Sequence, residues 1–497
     1  MIGRTRDNLF AGVEYTPRRG VTRFLVALAV LGSLVARAPA AEQPASATRD
    51  AAESEPDGAS MKEAPREAKP ALNSDELLLF EDMPVVVSAS RQPQPLDMLS
   101  APISIIRSQD IHYSGLTRIP DVLQFAPGVD VFRVDRIRNA VGVHGMHDVY
   151  SNRTLVLVNG RSAYSHVFGG CEWWRLPVFL EDIDRIEIVR GPGGAAWGAN
   201  AFNGVINIIT KDPADAQGWL ATSTVSHFGD TYSQIRWGAS QGKLSWRTSL
   251  GYIHTRNSES ANAGEFSVSP GPAGGILDVS RLEARDHGRN WVIDNHVVYR
   301  ASDHATLSFG AAYSHLGRGN YEFLGAVPTD NQIYRTARLF ARMDRRDPES
   351  GRAGYVQWFG NFESTDMGGH ARYRDWVNDL EAQVDLPLGE DHSFSVGGNV
   401  RLIHINAHAP SAQSFMFVGE PYDEQIVGLF AIDRWQVSDP LVLEAQVRVD
   451  WYSESTTDWA GRLSALYALD SDKHHVLRLS GAKAFRTPMG TLRRVVT

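Results

Sequence analysis

The sequence predicts an α+β domain followed by an antiparallel transmembrane β-barrel, and three observations support that prediction. Residues 81–213 mix short β-rich runs with helical segments, as a compact α+β unit does. From residue 214 onward, segments of 10 to 15 residues alternate in polarity with a period of two. The longest uncharged run near the start, 24–36, has 13 residues, fewer than the roughly 18 that a membrane-spanning helix needs. Strands can span a membrane with alternation alone.

The first 80 residues are predicted to be a targeting segment and a linker. Three arginines precede the apolar run Phe24–Leu31, and a small-residue site follows at 38–40. This pattern predicts a secretory signal peptide over 1–41, with a buried helix as the alternative interpretation. Residues 42–71 contain no Leu, Ile, Val, Phe, Trp or Tyr. Such a stretch cannot bury enough apolar area to order itself, so 42–80 is predicted to be a flexible linker.

Charge, cysteine content and missing motifs exclude several classes of protein. The 497 residues carry a formal net charge of −9 at pH 7, which argues against nucleic acid as a partner because such binders carry a basic face. The single cysteine, Cys171, excludes an intrachain disulfide. The sequence has no phosphate-binding glycine loop, no His-Glu-x-x-His and no nucleophile elbow. We therefore expect no enzyme activity, no cofactor and a location in the periplasm, outer membrane or medium of a bacterium.

Within 81–213, strands and short helices are predicted at close intervals. The candidate strands are rich in β-branched residues, and Asn159-Gly160 is a strong turn signal after one of them. The predicted strands lie at 85–87, 103–106, 154–158, 183–189 and 205–210, and the predicted helices begin at 108 and 121.

The segments after residue 214 indicate which face of each strand meets lipid. In 441–451 the odd positions are apolar, whereas the even positions include Glu444, Gln446 and Arg448. This arrangement is typical of a barrel with a wet lumen and a lipid-facing outer wall. A soluble β-sandwich shows the same alternation, but its strands are mostly about 5–6 residues long and membrane strands about 9–11. Thirteen strands are predicted, at 218–228, 231–240, 242–256, 290–302, 304–316, 333–345, 352–364, 372–386, 391–405, 425–437, 440–452, 459–470 and 474–486.

Four ordered motifs resemble those of a known family. Residues 181–211 read EDIDRIEIVRGPGGAAWGANAFNGVINIITK, which closely resembles the plug-domain signature of TonB-dependent outer-membrane receptors. APISIIRSQDI at 101–111, DVLQFAPGV at 121–129 and VLVNGR at 156–161 resemble earlier parts of the same plug, in the same order. The resemblance implies a TonB box and plug domain over 81–213, and it implies that 214–497 is the N-terminal part of the barrel.

The resemblance also implies a function. It implies TonB-dependent active import of a scarce nutrient complex across the outer membrane of a Gram-negative bacterium. The expected partners are a TonB-type inner-membrane energy-transducing protein, the outer-membrane lipid and a cargo. The cargo implied first is an iron–siderophore complex, and cobalamin is the alternative. A receptor that binds without transporting, and a secreted β-rich enzyme, are the hypotheses from other classes.

The resemblance identifies a TonB box directly after the linker. An extended, β-rich segment on a flexible tether can add as a strand to the edge of a partner's sheet. An ordinary first plug strand is the alternative interpretation. The box comprises Asp82, Met83, Pro84, Val85, Val86, Val87, Ser88 and Ala89.

Two further groups of plug residues are predicted to matter. In the family, charges of the signature segment contact the barrel wall, and its glycines hold the fold. Those residues here are Arg185, Glu187, Arg190, Gly191, Pro192, Gly198 and Gly204. An aromatic cluster in the expected apical loops could stack on or cover a flat or macrocyclic ligand, with plug-to-barrel packing as the alternative. That cluster is Tyr164, His166, Phe168, Trp173 and Trp174.

Some residues depart from the family or carry weaker signals. His144 stands where the family usually has Arg, and it is expected to be structural, like His147. Cys171 with His166 and Glu172 offers no fixed ligand geometry, so no metal site is predicted. The segment 484–488 resembles a stretch of haem receptors, but Thr487 departs from it and haem is not favoured.

The strand number predicts an incomplete barrel. Plugged outer-membrane transporters have about 22 strands, against the 13 predicted here. The last residues, 492–497, also do not read as a closing strand with a terminal aromatic. We therefore expect a C-terminally incomplete receptor.

Overall fold

A computed structural model of the chain describes residues 86–94, 99–257, 286–319, 331–367, 372–408, 421–471 and 473–487. The predicted signal peptide, the predicted linker and the first four residues of the predicted TonB box (Asp82, Met83, Pro84 and Val85) lie outside the described residues. In the part of the chain that is described, no helix is both long and apolar enough to cross a membrane.

The N-terminal described part is a mixed α/β unit. A five-stranded sheet runs in the order β1-β6-β7-β4-β5, and a separate hairpin pairs β2 with β3. The strands β4 and β7 are parallel, whereas β1 and β7 each pair with β6 in the antiparallel sense. The strands are β1 (Ile103–Arg107), β2 (Val129–Arg133), β3 (Asn139–Val143), β4 (Thr154–Val158), β5 (Arg161–Ser162), β6 (Ile183–Arg190) and β7 (Gly204–Thr210), and the helices are α1 (Ser108–Tyr113), α2 (Ile119–Leu123) and α3 (Gly194–Trp197).

The core of this unit lies between the sheet and the two short helices α1 and α2. Ile111 of α1 and Val122 and Leu123 of α2 pack with Ile186 and Ile206 of the sheet. The helix α2 carries proline in its first turn. The N–H groups of the first turn have no acceptor within a helix, so the N–H that proline lacks costs no hydrogen bond there. The strand bounds confirm the predicted strands at 103–106, 154–158, 183–189 and 205–210. The predicted strand at 85–87 is wrong in its described part, where Val86 forms only an isolated bridge with Gln94.

The remaining strands form one antiparallel sheet in which each strand pairs with its neighbours along the chain, from β8 to β20. The predicted antiparallel sheet of 13 strands is confirmed, with ends that differ by a few residues. Within the described residues, β8 and β20 are the two edges and do not pair with each other. The strands are β8 (Gly218–Val225), β9 (Thr231–Gln241), β10 (Leu244–Thr255), β11 (Gly288–Ser302), β12 (Ala305–Arg318), β13 (Gln332–Arg346), β14 (Ala353–Asp366), β15 (Arg372–Leu388), β16 (His392–His408), β17 (Tyr422–Ser438), β18 (Leu441–Tyr452), β19 (Asp458–Ala468) and β20 (Val476–Lys483).

The two faces of this sheet differ in polarity, and the arrangement is the reverse of that in a soluble protein, because the polar side chains are buried and the apolar ones are exposed. Along β18 the even-numbered residues, among them Glu444 and Arg448, are buried, while Val447, Val449 and Trp451 are exposed. Many polar side chains of other strands, such as Asp379, are buried in the same way. The α+β unit lies against this polar inner face, so the apolar face points outward. This confirms the predicted assignment of the polar face to the lumen.

The helix α3 shows how closely the α+β unit approaches the sheet. It packs against β18 and β19, and Gly198 directly follows it. A Cβ on Gly198 would lie 2.7 Å from Nε of Arg448 and 3.0 Å from Oδ2 of Asp450, and the backbone there has a φ of +80°. Both the space and the left-handed conformation therefore favour glycine.

We expect the cost of an outward-facing charge to depend on its depth in the membrane. Leu429 lies at the middle of β17 with 51% of its surface exposed, and Val437 lies near the strand's end with 38% exposed. Leu429→Arg should lower the free energy of unfolding in lipid vesicles by about 2–4 kcal/mol, and Val437→Arg by about 0–1 kcal/mol. Urea titrations of both variants test this. Equal losses at the two positions would contradict the assignment of this face to lipid.

Candidate functional site

The described end of the predicted TonB box lies buried against the plug sheet. Val86, Ser88 and Ala89 are buried, and Val87 is half-buried. The segment folds back on itself, since the N–H of Val86 donates to the carbonyl of Gln94 (2.8 Å) and the N–H of Gln94 donates to the carbonyl of Val86 (2.9 Å). The last residues of the box are thus held in place and are not part of a free tail.

Glu187 of β6 holds the box by three hydrogen bonds from two consecutive residues. One carboxylate oxygen accepts from the N–H of Val87 (3.2 Å), the N–H of Ser88 (3.0 Å) and the hydroxyl of Ser88 (2.5 Å). Its other oxygen pairs with Nε of Arg185 (2.9 Å). Glu187 has no exposed surface, and hydrogen bonds to a buried charge are among the strong ones.

Two more plug residues secure Ser88. The indole N–H of Trp197 donates to the carbonyl of Ser88 (2.8 Å), and the amide of Asn207 donates to its hydroxyl (3.0 Å). These two residues and Glu187 come from α3, β7 and β6 respectively. One short segment therefore meets three separate elements of the plug.

Arg91 ties the next part of this segment to the barrel wall. Its Nη1 lies 3.0 Å from both the Tyr355 hydroxyl and Oε1 of Glu381, and its Nε donates to the carbonyl of Ala196 (2.5 Å). The guanidinium also stacks on Trp197, 4.3 Å from the ring centroid. Burial alone would lower the pKa of Arg91, but Glu381 and Tyr355 outweigh it and hold the pKa above its ordinary value. Arg91 therefore stays charged and paired.

Glutamines extend this attachment across several barrel strands. Nε2 of Gln92 donates to the Ser395 hydroxyl (2.5 Å) on β16, and Nε2 of Gln94 donates to Glu444 (3.2 Å) on β18. The amide of Gln446 reaches the carbonyl of Ala89 (3.4 Å). We call residues 86–94 the box-proximal segment. It is attached both to the plug and to the wall.

The predicted apical aromatics do not form one open surface. Tyr164 is buried in a cluster with Leu157 and Val205, and its ring meets that of His166 at 5.1 Å. Phe168 stacks on Tyr150 with ring centroids 5.0 Å apart, and it packs against barrel residues of β15 and β16. Tyr164 and Phe168 therefore make packing contacts, and their predicted role toward cargo stays a prediction.

The two tryptophans differ in their surroundings. Trp173 is buried in the plug core and donates its indole N–H to the Ser151 hydroxyl (2.9 Å). Trp174 is half-buried and lines a cavity of about 90 Å³ between plug and barrel, together with Trp173, Arg118 and Asn290. Tyr164 lines a separate cavity of about 40 Å³ with Arg91 and Glu381. A role of these residues toward cargo stays a prediction.

Arg175, which the sequence did not single out, anchors the apical segment to the barrel. It has 1% exposure, and its Nη1 lies 2.8 Å from Oε2 of Glu172 and 3.4 Å from Glu363 on β14. Its Nε donates to the Thr336 hydroxyl on β13 (2.8 Å). Burial raises the pKa of Glu172 to about 7, with Arg175 opposing the shift and Glu363 adding to it. The Glu172–Arg175 spacing of three residues was the only hint in the sequence.

The signature charges make contacts inside the plug. Arg185 pairs with Asp184 (2.7 Å) as well as Glu187, and Nη1 of Arg190 donates to the carbonyl of Pro127 (3.3 Å). Elsewhere in the signature segment, the carboxylate of Asp182 contacts Gln234, Arg236 and Ser249 of the wall. The carbonyl of Pro192 accepts a hydrogen bond from Arg462. A role of Arg185, Glu187 and Arg190 at the wall stays a prediction.

The remaining signature glycines sit where space or conformation is tight. Gly191 has a φ of +99°, and a Cβ on Gly204 would lie 2.8 Å from the carbonyl oxygen of Val189. Among the other candidates, Cys171 is buried, and burial raises the pKa of its thiol. Among the residues that the structure describes, no group of His, Cys, Asp and Glu is arranged to hold a metal ion.

Two family profiles match the chain. The family described as TonB-dependent Receptor Plug Domain matches residues 95–205, and the family described as TonB dependent receptor-like, beta-barrel matches residues 193–495. The second match covers more than half of the chain.

The sequence is also similar to two curated proteins, both described as vitamin B12 transporter BtuB of Vibrio vulnificus. One is 35% identical over 134 residues, which are 27% of this chain and 22% of the relative. The other, from a second strain, is 33% identical over 175 residues, or 34% of this chain and 27% of the relative. The matches thus span about a quarter of those relatives' lengths.

Solved structures share the fold at lower identity. A ferric enterobactin receptor (PfeA) variant from Pseudomonas aeruginosa superposes with a TM-score of 0.61 at 21% identity, covering 78% of this chain and 62% of that one. The ferripyoverdine receptor of the same organism gives a TM-score of 0.61 at 15% identity, covering 82% and 60%. The chain spans less than two thirds of either structure.

We expect Glu187→Gln to loosen the box-proximal segment. A neutral amide oxygen is a weaker acceptor than a carboxylate, so the hydrogen bonds from Val87 and Ser88 weaken. A nitroxide at Val87→Cys, in a Cys171→Ser background, should show a larger mobile fraction by electron paramagnetic resonance. Glu181→Gln is the matched control, because Glu181 contacts His112 (3.0 Å). An unchanged spectrum in Glu187→Gln would count against Glu187 as the anchor.

We also expect stability to fall as the pH rises toward neutrality. The pKa of Glu172 is about 7 in the folded protein, against an ordinary value of 4.5. A carboxyl with a raised folded pKa contributes stability below its unfolded pKa, and that contribution is lost as the pH rises through the folded pKa. The free energy of unfolding should therefore fall from about pH 4.5 to about pH 7. Urea titrations across this range measure the slope.

Glu172→Gln should flatten the slope, whereas Glu349→Gln, on an exposed turn, should retain it. A slope equal in all three proteins would show that Glu172 does not titrate in this range.

Proposed function

The chain belongs to the TonB-dependent receptor family, and from that premise we propose that it imports a scarce nutrient complex across the bacterial outer membrane. Members of this family are outer-membrane β-barrel receptors and transporters. We place the energy source in a TonB-type protein of the inner membrane, because the outer membrane has no nucleotide supply. The box-proximal segment supports this proposal most directly.

The contacts of the box-proximal segment would be the first to break under a force applied from the periplasmic side. The proposed box, 82–89, includes Val87 and Ser88, and the N–H groups of these two residues donate to Glu187. The contacts of Arg91 with Glu381 and Tyr355 follow three residues later. A force applied to 82–89 would therefore load the polar contacts of Val87, Ser88 and Arg91, together with the small apolar cluster that Val86 and Ala89 form with Leu99.

The proposed partner would bind 82–89 by strand addition. An extended segment can complete the edge of a partner's sheet through main-chain hydrogen bonds. Binding of cargo on the outer side would shift the population in which this segment is released toward the periplasm. The loss of the Glu187 and Arg91 contacts would then let the plug remodel and open a path along the wall.

The cargo we propose first is an iron–siderophore complex. The solved neighbours are receptors for such complexes, but at 15–21% identity they support the fold alone. Cobalamin is the second candidate, and the two curated relatives described as vitamin B12 transporters favour it. A growth test with defined siderophores, or with cobalamin, as the scarce nutrient separates the two.

Deleting residues 82–89 should abolish uptake and leave cargo binding intact, because the deletion removes the proposed partner-binding segment with its contacts to Glu187 and spares the apical loops. The matched control deletes eight residues of the predicted linker, 50–57, which shortens the tether and spares the box. Binding of labelled cargo to whole cells and its accumulation over time are measured in both strains. Accumulation at the parental rate without 82–89 would overturn the transport proposal and favour a receptor that binds without transporting.

A further inference from the structure

A cavity of about 50 Å³ lies between the plug and the inner face of β10–β14. Its plug side includes Arg161, which begins β5 directly after the Asn159-Gly160 turn, and its wall side includes Arg247 and Arg338. A cavity of that volume has room for about four water-sized groups, at roughly 10–15 Å³ for each. The space therefore fits a carboxylate or a phosphate group.

Small residues on β12 create this space. The register places Asp294 of β11 opposite Ala312, and Ala312 opposite Arg338 of β13. Two residues along β12, Gly310 lies opposite Phe340, and a Cβ there would overlap that ring. The long side chains of β11 and β13 therefore border a gap over β12 that no bulky residue of β12 fills.

Arg161 brings to this cavity a positive charge that no described carboxylate pairs with. Within the described ranges, its guanidinium forms no hydrogen bond and no ion pair, and it lies over the ring of Phe340, 3.5 Å from the centroid. Burial lowers the pKa of Arg161 to about 9, and Arg342 adds to that shift. Asp294 opposes the shift, whereas Arg338 adds to it. At neutral pH Arg161 is therefore charged, and it lies among other cations.

The two wall arginines also have hydrogen-bond donors to spare. Arg247 has 1% exposure and pairs with Asp294 through Nη2 (2.6 Å), but its Nε has no acceptor among the described residues. Nη2 of Arg338 lies 3.9 Å from Oε1 of Glu363, which is too far for a hydrogen bond. Its Nε likewise has no acceptor in the described structure. Glu363 also lies 3.4 Å from Arg175, so the two arginines share one carboxylate.

The charges around the cavity do not cancel. Its two carboxylates, Asp182 and Asp294, are each already paired with an arginine of the wall. Among the residues that the structure describes, no other Asp or Glu lines it. Arg161 and Arg338 add two positive charges, of which Glu363 offsets at most one. An unpaired charge in an enclosed place is costly, so the cavity favours an anion.

We propose that this cavity binds a small oxyanion, either a carboxylate or a phosphate group. Guanidinium groups donate two parallel hydrogen bonds to groups of this kind. The oxyanion would accept from Arg161 on the plug and from Arg338 on the wall, and it would neutralise the positive charge between them. It would thus add a link between the plug and β13.

Two sources supply this chemistry. One is a free ion, such as inorganic phosphate in the periplasm. The other is an acidic group of the cargo as it passes between plug and wall, and this second source rests on the proposed transport function. The site itself does not rest on transport, because the purified chain binds the oxyanion under either source.

Saturation-transfer difference NMR of the full chain in a nonionic detergent tests the site, with acetate as the probe. Acetate should bind saturably and be displaced by inorganic phosphate, whereas acetamide, a neutral molecule of the same shape, should not bind. Arg161→Gln should weaken acetate binding at least about tenfold, because a hydrogen bond between charged groups is lost. Arg133→Gln is the matched control, because Arg133 is a plug arginine outside the cavity with a 59% exposed side chain.

Equal binding of acetate and acetamide would overturn the proposal, and so would parental affinity in Arg161→Gln. If Arg161→Gln fails to fold, Arg338→Gln removes the donor on the wall instead. That variant should also lose at least about tenfold in affinity for acetate, and parental affinity in it counts equally against the site.

Uptake of labelled cargo by cells then distinguishes the two sources. If the cargo supplies the oxyanion, Arg161→Gln should slow accumulation and leave the binding of cargo to the cell surface at the parental level. If a free ion supplies it, accumulation should continue at the parental rate. Acetate binding is independent of uptake, so a failure of the transport proposal, shown by the deletion of 82–89, leaves the result for the cavity unaffected.

Discussion

The structure depends on one constraint. A sheet whose outer face contacts lipid must have the polar side chains of its inner face paired with protein groups or solvated by water. The inner faces of β14–β18 bury carboxylates, guanidinium groups and amides, among them Asp379, Glu381 and Arg448. An uncompensated charge in such a place is costly. Asp379 and Arg448 pair with Arg401 and Asp450 within the wall. Glu381 pairs with Arg91 of the plug, and Glu363 of the wall lies beside Arg175. Plug and wall are therefore joined by polar pairs as well as by the apolar cluster in which Phe168 packs against β15 and β16.

This constraint explains why the fold could be predicted so closely. Polarity that alternates with a period of two over 11 to 17 residues predicts a strand. In β18 the same alternation also distinguishes the side chains that face the lumen from those that face lipid. Four plug strands could be predicted because they are runs rich in β-branched residues, one of them ending at the turn signal Asn159-Gly160. The strands β2, β3 and β5 were not predicted. Local pattern decides both features, so a single sequence is enough to find them.

The candidate site was only partly predictable, because its contacts join residues far apart in the chain. The resemblance pointed to Ser88 and to Glu187 separately, yet nothing local says that a carboxylate on β6 binds a segment about a hundred residues earlier. Arg91 and Arg175 were missed for the same reason, since a lone arginine carries no signal of its distant partner. The apical aromatics were identified by type, but burial decides their role, and the packing that buries Phe168 comes from β15 and β16.

The two arginine anchors meet the same barrel strand at opposite ends. Arg91 contacts Tyr355 near the start of β14, and Arg175 lies beside Glu363 and Thr365 near its end. In sequence they are well separated, with most of the plug sheet between them. Under the proposed mechanism, a pull on 82–89 would load the contacts of Glu187 and Arg91 before those of Arg175, which lies much further along the chain. The apical segment would then keep its attachment to β14 while the box-proximal segment is released, so that a path would open on the periplasmic side first.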